Sequence, residues 1–151
     1  MQRPSLRRLL RAPIWLYRAR LGWLLGHRFV YVAHRGRVSG ARREVVLEVI
    51  ERDRQSGAVT VVSAWGPKAQ WFRNLQAHPP LEIRLGRERI PAPRQEFLSV
   101  DEGWALLRRY AVKHPRTARS LAKMLGVPID AALHGRVDPS VSLPAVRFTP
   151  S

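Results

Sequence analysis

The chain has 151 residues, 45% of them apolar and 25% charged, which is typical of one globular domain and not of a disordered segment. It contains no cysteine, and this excludes disulfides, thiolate metal sites, iron–sulfur clusters and a cysteine nucleophile. The formal net charge is +16, and nearly all of the basic residues are arginines. Because a guanidinium grips phosphate or carboxylate through paired hydrogen bonds, the composition predicts an anionic ligand or surface. A cysteine-free chain also fits a reducing compartment, and we predict a cytoplasmic location.

Residues 1–26 have the pattern of an amphipathic helix. Pro13 suits a first helical turn, Gly26 a stop, and the apolar face between them comprises Ile14, Trp15, Leu16, Ala19, Trp23 and Leu24. Arg18 and Arg20 interrupt the apolar run, which is too short to span a bilayer and lacks a clean signal-peptide cleavage site. Two interpretations remain open. This helix either lies on an anionic membrane surface or packs against the body of the protein, residues 27–151.

The next elements predicted in chain order are three strands and a helix. Residues 29–34 and 45–52 are short and β-rich, and a turn at 53–57 leads into a third strand at 58–64. Helical spacing over 68–77 places Trp71 and Leu75 inward, and the helix ends at His78-Pro79-Pro80. This half of the chain therefore predicts an antiparallel meander followed by one helix.

The second half continues with a hairpin of strands 81–85 and 89–97, although Pro91 and Pro93 confine the latter to an edge or a bulged position. Ser99, with Glu102 three residues later, predicts a capping box for a helix that stops before Pro115. A shorter helix at 117–125 and a final strand at 141–148 complete the pattern. The order predicts an α+β fold, in which antiparallel strands form a small closed or split barrel with helices packed outside. Without repeats or a long linker, 1–151 is expected to form a single domain.

One candidate site is the run His34-Arg35-Gly36-Arg37-Val38-Ser39-Gly40-Ala41-Arg42-Arg43. Its two glycines allow a tight turn with accessible amide groups, Ser39 adds a hydroxyl, and four arginines lie within ten residues. This donor set suits an oxyanion such as phosphate. The glycine spacing matches neither a P-loop nor a dinucleotide fingerprint. The alternative is a basic hairpin turn without a ligand.

A second candidate is the run from Ser63-Ala64-Trp65-Gly66 into the following helix, where Trp71 and Asn74 share one face. A strand that ends in small residues leaves its backbone accessible to a flat ring system. The alternative is that both tryptophans are core aromatics.

Taken in order, these runs resemble the deazaflavin-dependent nitroreductase and quinone reductase family. The similarity extends over nearly the whole chain, from Tyr17 to the Leu143-Pro144-Ala145-Val146 segment. The motifs that carry it are Leu16-Tyr17-Arg18, Leu21-Gly22-Trp23-Leu24-Leu25-Gly26, Gly36-Arg37-Val38-Ser39-Gly40 with Arg43, Ser63-Ala64-Trp65-Gly66, and Trp71-Phe72-Arg73-Asn74-Leu75 followed by Pro79.

The resemblance implies an enzyme that binds the deazaflavin coenzyme F-420 in an α+β split β-barrel that is similar to FMN-binding barrels. In the family, the Gly-rich turn and a later arginine hold the phosphate and acidic tail, which implies roles here for Arg37, Val38, Ser39, Gly40 and Arg43. The resemblance places the ring system beside Ala64, Trp65, Gly66, Trp71 and Asn74. Val38 departs from the family pattern, which usually has lysine at this position, so that one phosphate contact is missing.

The resemblance also implies hydride transfer from the reduced coenzyme to an organic acceptor, such as a quinone or a nitro or enone compound. Arg116-Thr117-Ala118 stands where the nitro-drug-reducing branch has aromatic residues, which argues against nitro compounds as the main acceptor. A lipid-soluble quinone is the preferred acceptor, because it would suit an enzyme whose N-terminal helix lies on a membrane surface. Ser63 and Tyr110 are candidate catalytic residues, as proton donors or substrate contacts. The histidines lack metal-ligand spacing, so no metal is expected and each histidine is interpreted as structural or exposed.

Two other readings remain open: a split-barrel protein that binds flavin mononucleotide or haem, and a basic nucleic-acid-binding module. The second is disfavoured because no recognised nucleic-acid-binding motif is present, and no specific nucleic-acid partner is expected. The sequence leaves the physiological acceptor, the proton donor, the pathway and the oligomeric state undetermined.

Overall fold

The structure, a computed structural model, describes residues 27–62, 69–116, 118–119 and 145–151. Some predicted elements lie outside these ranges in whole or in part: the helix within 1–26, most of the helix at 117–125, and the segments 63–68 and 141–144. The described elements are β1 (Phe29–Arg35), β2 (Arg42–Arg52), β3 (Val59–Val62), α1 (Gln70–Ala77), β4 (Glu82–Leu85), β5 (Glu88–Pro91), β6 (Arg94–Phe97), α2 (Val100–Lys113) and β7 (Ala145–Thr149).

The described strands form one antiparallel sheet in the order β5-β4-β1-β2-β3-β7-β6. Its two edge strands, β5 and β6, are consecutive in the chain and separated only by Ala92 and Pro93. Three successive Cα steps of 3.8 Å span at most about 11 Å, so the two edges must come close together. The sheet is therefore curled, as in the predicted split barrel.

The single strand predicted at 89–97 is wrong, because this segment forms two strands on opposite edges of the sheet. Ala92 has a positive φ of 44° and its N–H donates to the Leu81 carbonyl at 2.9 Å, so the chain turns between β5 and β6. The edge position predicted from Pro91 and Pro93 is confirmed, since both resulting strands lie at edges of the sheet.

Strand β2 is longer than predicted and begins at Arg42, directly after the loop that follows β1. Its register against β3 shifts between Val49 and Glu51, which leaves Ile50 as one extra residue in a β-bulge. A bulge bends a strand and increases its twist. Here it lets β2 pair with β1 along its first half and with β3 along its second.

The main core lies on one face of the curled sheet and includes α1. Alternate residues of β1, Val30 and Val32, point into this core together with residues of β3, β4 and β7. Trp71, Phe72 and Leu75 of α1 cover it. The C-terminal end of α1 is tied to β6, because the Gln95 side-chain amide donates to the Leu75 carbonyl at 2.8 Å.

Helix α2 packs on the opposite face of the sheet, where Trp104 and Leu107 contact Val62, Ala145 and the bulged Ile50. The predicted capping box is confirmed in part: the Ser99 hydroxyl accepts from the Glu102 N–H at 3.2 Å.

A buried carboxylate organises the part of the sheet formed by β1, β2, β4 and β5. Glu82 is 2% exposed and accepts hydrogen bonds from the guanidinium groups of Arg42 (2.5 Å), Arg84 (3.0 Å) and Arg89. Burial alone would raise the pKa of Glu82, but these three donors outweigh it and hold the pKa at about 2. Arg42 also donates to the Tyr31 hydroxyl at 3.2 Å. The Arg42 side chain is therefore committed to a structural network.

Candidate functional site

A cleft of about 740 Å³ lies between the loop that joins β1 to β2 and the start of α1. Its lining comprises His34 from the end of β1, residues 36–39 of the loop, residues 43–45 of β2, and residues 69–71 and 74 at α1. The volume is within the usual range for small-molecule sites. Residues from the described parts of both predicted sequence runs therefore line the same cleft.

The loop at 36–41 is held by its own hydrogen bonds. The Gly36 N–H donates to the Ala41 carbonyl at 2.8 Å, and the Gly40 N–H donates to the Gly36 carbonyl at 2.9 Å. Gly40 adopts a φ of +69°, a conformation that residues with a side chain rarely adopt. Gly40 is therefore needed for the shape of the loop, and it is absent from the lining of the cleft.

The amide groups of the loop that lack a partner are not those of its two glycines. The glycine N–H groups are used inside the loop, the Arg37 N–H is bonded to Asn74, and the Ala41 N–H donates to the Ser39 hydroxyl. Within the described residues, the N–H groups of Val38 and Ser39 have no such partner. These two amides, and not those of the glycines, are available to a ligand.

Asn74 anchors the loop to α1. Its side-chain oxygen accepts from the Arg37 backbone N–H at 3.1 Å and from the Arg37 guanidinium at 2.9 Å. Its side-chain nitrogen lies 3.2 Å from Nδ1 of His34. Asn74 is only 5% exposed, so a buried side chain connects the cleft wall to the basic loop.

His34 begins the first candidate run but was given no role there beyond a structural or exposed one, yet it lines the cleft and is 4% exposed. Burial, followed by the positive charge of Arg43, lowers the pKa of His34 to about 4. The ring is therefore neutral at neutral pH. One signal was present in the sequence: His34 continues the alternation of Val30 and Val32, which predicts an inward-facing side chain.

Charges of both signs line the cleft. Arg37 and Arg43 contribute two guanidinium groups, and Glu44 contributes a carboxylate that accepts from the Tyr31 hydroxyl at 2.9 Å. Arg42 is absent from the lining, since its side chain is bonded to Glu82. Val38 also lines the cleft and is 94% exposed at the tip of the loop. The basic character of the cleft thus comes from alternate members of the arginine run.

The first turn of α1 forms the opposite wall. Among the described residues, no side chain caps this helix end, and its first turn contains no acidic residue, so the N–H groups of that turn favour an anion nearby. Trp71 lines the cleft but is 7% exposed and packs edge-on against Phe72, with ring centroids 5.8 Å apart. Trp71 therefore belongs to both the core and the cleft wall.

The remaining predicted site residues are not in the described lining. Ser63, Ala64, Trp65 and Gly66 lie outside the described residues. Tyr110 lines a different cleft, where its hydroxyl donates to Glu48 at 2.8 Å and its ring lies 5.0 Å from that of His114. In the described part of the chain, no group of three or more His, Asp or Glu side chains could hold a metal ion.

Comparison with known proteins adds a family to this geometry. The family model described as F420H(2)-dependent quinone reductase matches residues 9–123. No curated protein matches the chain in sequence.

Several solved structures are similar to this one, and two of them show the range. An F420-H2 dependent reductase, FDR-A, has a TM-score of 0.56 at 18% identity, covering 82% of this chain and 95% of that one. A pyridoxamine 5'-phosphate oxidase-related, FMN binding protein from Nostoc punctiforme has a TM-score of 0.52 at 14% identity, covering 99% and 81%. At such low identity they show the fold, and the predicted split barrel is confirmed.

The family match covers most of the chain, including the loop at 36–41 and the whole of α1. The resemblance recognised in the sequence is thereby confirmed, together with the cofactor and the type of reaction it implied. The chain belongs to the F420H(2)-dependent quinone reductase family and is an oxidoreductase that uses the reduced deazaflavin coenzyme F-420.

Proposed function

We propose that the cleft between loop 36–41 and α1 holds coenzyme F-420, with the phosphate and acidic tail at the loop. The observation that carries this proposal is the double hydrogen bond from Arg37 to Asn74, which holds the basic loop against the wall formed by α1. A donor fixed before the ligand arrives loses less conformational freedom on binding.

The residues present fit the phosphate-bearing part of the coenzyme. The loop offers the Val38 and Ser39 amides, the Ser39 hydroxyl and the Arg37 guanidinium, and the start of β2 adds the Arg43 guanidinium on the same side of the cleft. Backbone amides combined with guanidinium forks form a typical oxyanion site. This set supports phosphate binding even though Val38 supplies no charged side chain.

Other residues would orient the ring system and exclude water. When bound, the reduced deazaflavin supplies the hydride, so the protein requires no charged catalytic residue. Trp71 and Ala69 offer a flat apolar wall, and we place Ala64, Trp65 and Gly66 beside them because they lie in the same sequence run. Ser63 and Tyr110 stay as proposed proton donors or acceptor contacts.

The acceptor that we propose is a lipid-soluble quinone, with nitro and enone compounds as further candidates. The family description names quinone reduction. The basic, apolar N-terminal region within 1–26 would place such an enzyme at an anionic membrane surface. We further propose that the protein is cytoplasmic and that residues 1–151 form one domain. Among the described helices, none is long and apolar enough to cross a bilayer.

A fluorescence titration with coenzyme F-420 tests the assignment of the cleft. Arg37→Ala and Arg43→Ala should each weaken binding about tenfold, since a charge-assisted hydrogen bond contributes roughly 1.5–3 kcal/mol. Arg94→Ala is the matched control, because Arg94 is exposed on β6 and absent from the cleft lining. Val38→Lys should tighten binding by adding a phosphate contact.

Unchanged affinity of both cleft variants, with the fold intact, would show that the tail binds elsewhere. Saturable binding of flavin mononucleotide or haem, with none of coenzyme F-420, would favour the other cofactors of this fold. The acceptor is tested by steady-state kinetics with a quinone, a nitro compound and an enone; the quinone should give the highest kcat/KM.

A further inference from the structure

His34 is a buried polar residue to which the proposed function assigns no role. A buried histidine on an apolar strand is normally satisfied by hydrogen bonds at both nitrogens. Here one nitrogen is bonded to Asn74, while Nε2 has no hydrogen-bond partner in the described part of the chain. The ring borders the cleft, and Nε2 is absent from the fully buried polar atoms that lack a partner, so this atom keeps access to the space in the cleft.

The tautomer of His34 follows from its neighbours. The Asn74 oxygen already accepts two hydrogen bonds from Arg37, which fixes the orientation of the amide and directs its NH₂ group toward His34. Because that group can only donate, Nδ1 of His34 must be the acceptor. In the neutral ring the proton then resides on Nε2, which becomes a donor.

We propose that His34 is a ligand-binding residue whose Nε2–H donates a hydrogen bond to an acceptor oxygen of the coenzyme in the cleft. This inference rests on the proposed function of the cleft and adds an uncharged donor to its inner wall. Asn74 then has two tasks: it holds Arg37 at the loop, and it sets the tautomer that gives His34 a proton to donate.

Two isosteric substitutions separate these roles. In His34→Asn, the side-chain oxygen can replace Nδ1 as acceptor for Asn74, but nothing reaches the position of Nε2. In His34→Gln, the longer amide can place a donor near that position. We expect His34→Asn to weaken the binding of coenzyme F-420 about tenfold. His34→Gln should stay within about threefold of the wild-type protein.

The acceptor oxygen has two sources, the ring system or the phosphate and tail. Titration with the bare deazaflavin chromophore, which lacks the phosphate and tail, distinguishes them. An equal loss with both ligands assigns the contact to the ring system, and a loss confined to the full coenzyme assigns it to the phosphate or tail. Wild-type affinity of His34→Asn for both ligands would overturn the proposal.

The Arg37→Ala variant separates this failure from failure of the proposed function. If Arg37→Ala weakens binding and His34→Asn does not, the cleft assignment stands and the role of His34 is refuted. If Arg37→Ala, Arg43→Ala and His34→Asn all leave the affinity unchanged, both the cleft assignment and the role of His34 are refuted.

A measurement on the wild-type protein covers the case in which His34→Asn fails to fold. Histidine-selective ¹⁵N NMR should show His34 as the Nε2–H tautomer, with its Nε2 resonance displaced on addition of coenzyme F-420. An Nδ1–H tautomer, or an Nε2 resonance that the coenzyme leaves unchanged, would overturn the proposal.

Discussion

The side-chain oxygen of Asn74 accepts hydrogen bonds from both the backbone and the guanidinium of Arg37, at 3.1 and 2.9 Å. These residues are 37 positions apart, one on α1 and the other on the loop after β1. Because Asn74 is buried, its geometry is set by the core, and it transmits that order to an otherwise exposed basic loop. The affinity of the cleft for an anion should therefore depend on a residue outside the arginine run.

The first prediction concerns the coupling between these two residues. Asn74→Ala should weaken the binding of coenzyme F-420 because Arg37 loses its fixed orientation, and it should also lower stability by about 1–3 kcal/mol through unsatisfied buried groups. In a double-mutant cycle with Arg37→Ala, the losses of binding free energy should be non-additive by about 1 kcal/mol. Strictly additive losses in titrations of the four proteins would refute the coupling.

The second prediction is a pH dependence of stability from His34. Its pKa is lowered from 6.5 to about 4 by burial and then by Arg43, so the unfolded chain takes up the proton first as the pH falls. The free energy of unfolding should therefore decrease between about pH 6.5 and pH 4, by up to about 3 kcal/mol. Denaturant titrations across this window should show a smaller decrease for His34→Asn. Parallel pH profiles of the two proteins would contradict the assignment.

The third prediction concerns the shape of the loop. Gly40 has a φ of +69°, and an added Cβ would meet nothing within 4 Å, so any penalty of Gly40→Ala is conformational. We expect Gly40→Ala to cost roughly 1–2 kcal/mol of stability. Gly40→Asn is the control, because asparagine tolerates this backbone conformation better and should cost less. Thermal unfolding measures both, and equal losses would argue against a conformational cause.

The fourth prediction concerns Glu82. Glu82→Gln removes the charge shared by Arg42, Arg84 and Arg89 and should lower the free energy of unfolding by about 2–3 kcal/mol. This is less than the roughly 3–5 kcal/mol for a fully buried pair, since these guanidinium groups are partly exposed to water. Glu96→Gln is the control, because the Glu96 side chain is 61% exposed and pairs with Arg147 at the surface.

Urea titrations at neutral pH measure both changes. Equal decreases of the free energy of unfolding in Glu82→Gln and Glu96→Gln would refute a particular stabilising role of Glu82. The lowered pKa of Glu82, about 2, also sets the direction of the pH dependence. The stabilisation by Glu82 is complete above its ordinary pKa of 4.5 and is lost as the pH falls toward 2.

The fifth prediction concerns the surface preference of the full-length protein. Several arginines lie in residues 1–26, and each basic residue near anionic lipid contributes about 1 kcal/mol of attraction. The protein should sediment with vesicles that contain anionic lipid at low salt, and high salt should release it. Sedimentation should be absent with neutral vesicles. If the protein stays in the supernatant with anionic vesicles at low salt, the membrane proposal and its support for a quinone acceptor are refuted.

Local signals in the sequence determined the positions of several strands and helices and the family of this protein. The β-rich composition of residues 29–34 and 58–64 located β1 and β3, the prolines marked edge strands, and Ser99 with Glu102 marked the start of α2. Each of these signals depends only on neighbouring residues. The ordered motifs also identified the family, and Arg37, Ser39, Arg43, Trp71 and Asn74 do meet in one cleft.

Only the tertiary structure decided which residues that are distant in the chain contact one another. Arginines 42 and 43 are adjacent and look equivalent, yet alternation along β2 and the buried Glu82 direct only Arg43 to the cleft. Likewise, the role of His34 depends on Asn74, 40 residues away, and on the loss of water around the ring. No local pattern encodes such pairings, because they arise only when the sheet curls and α1 packs against it.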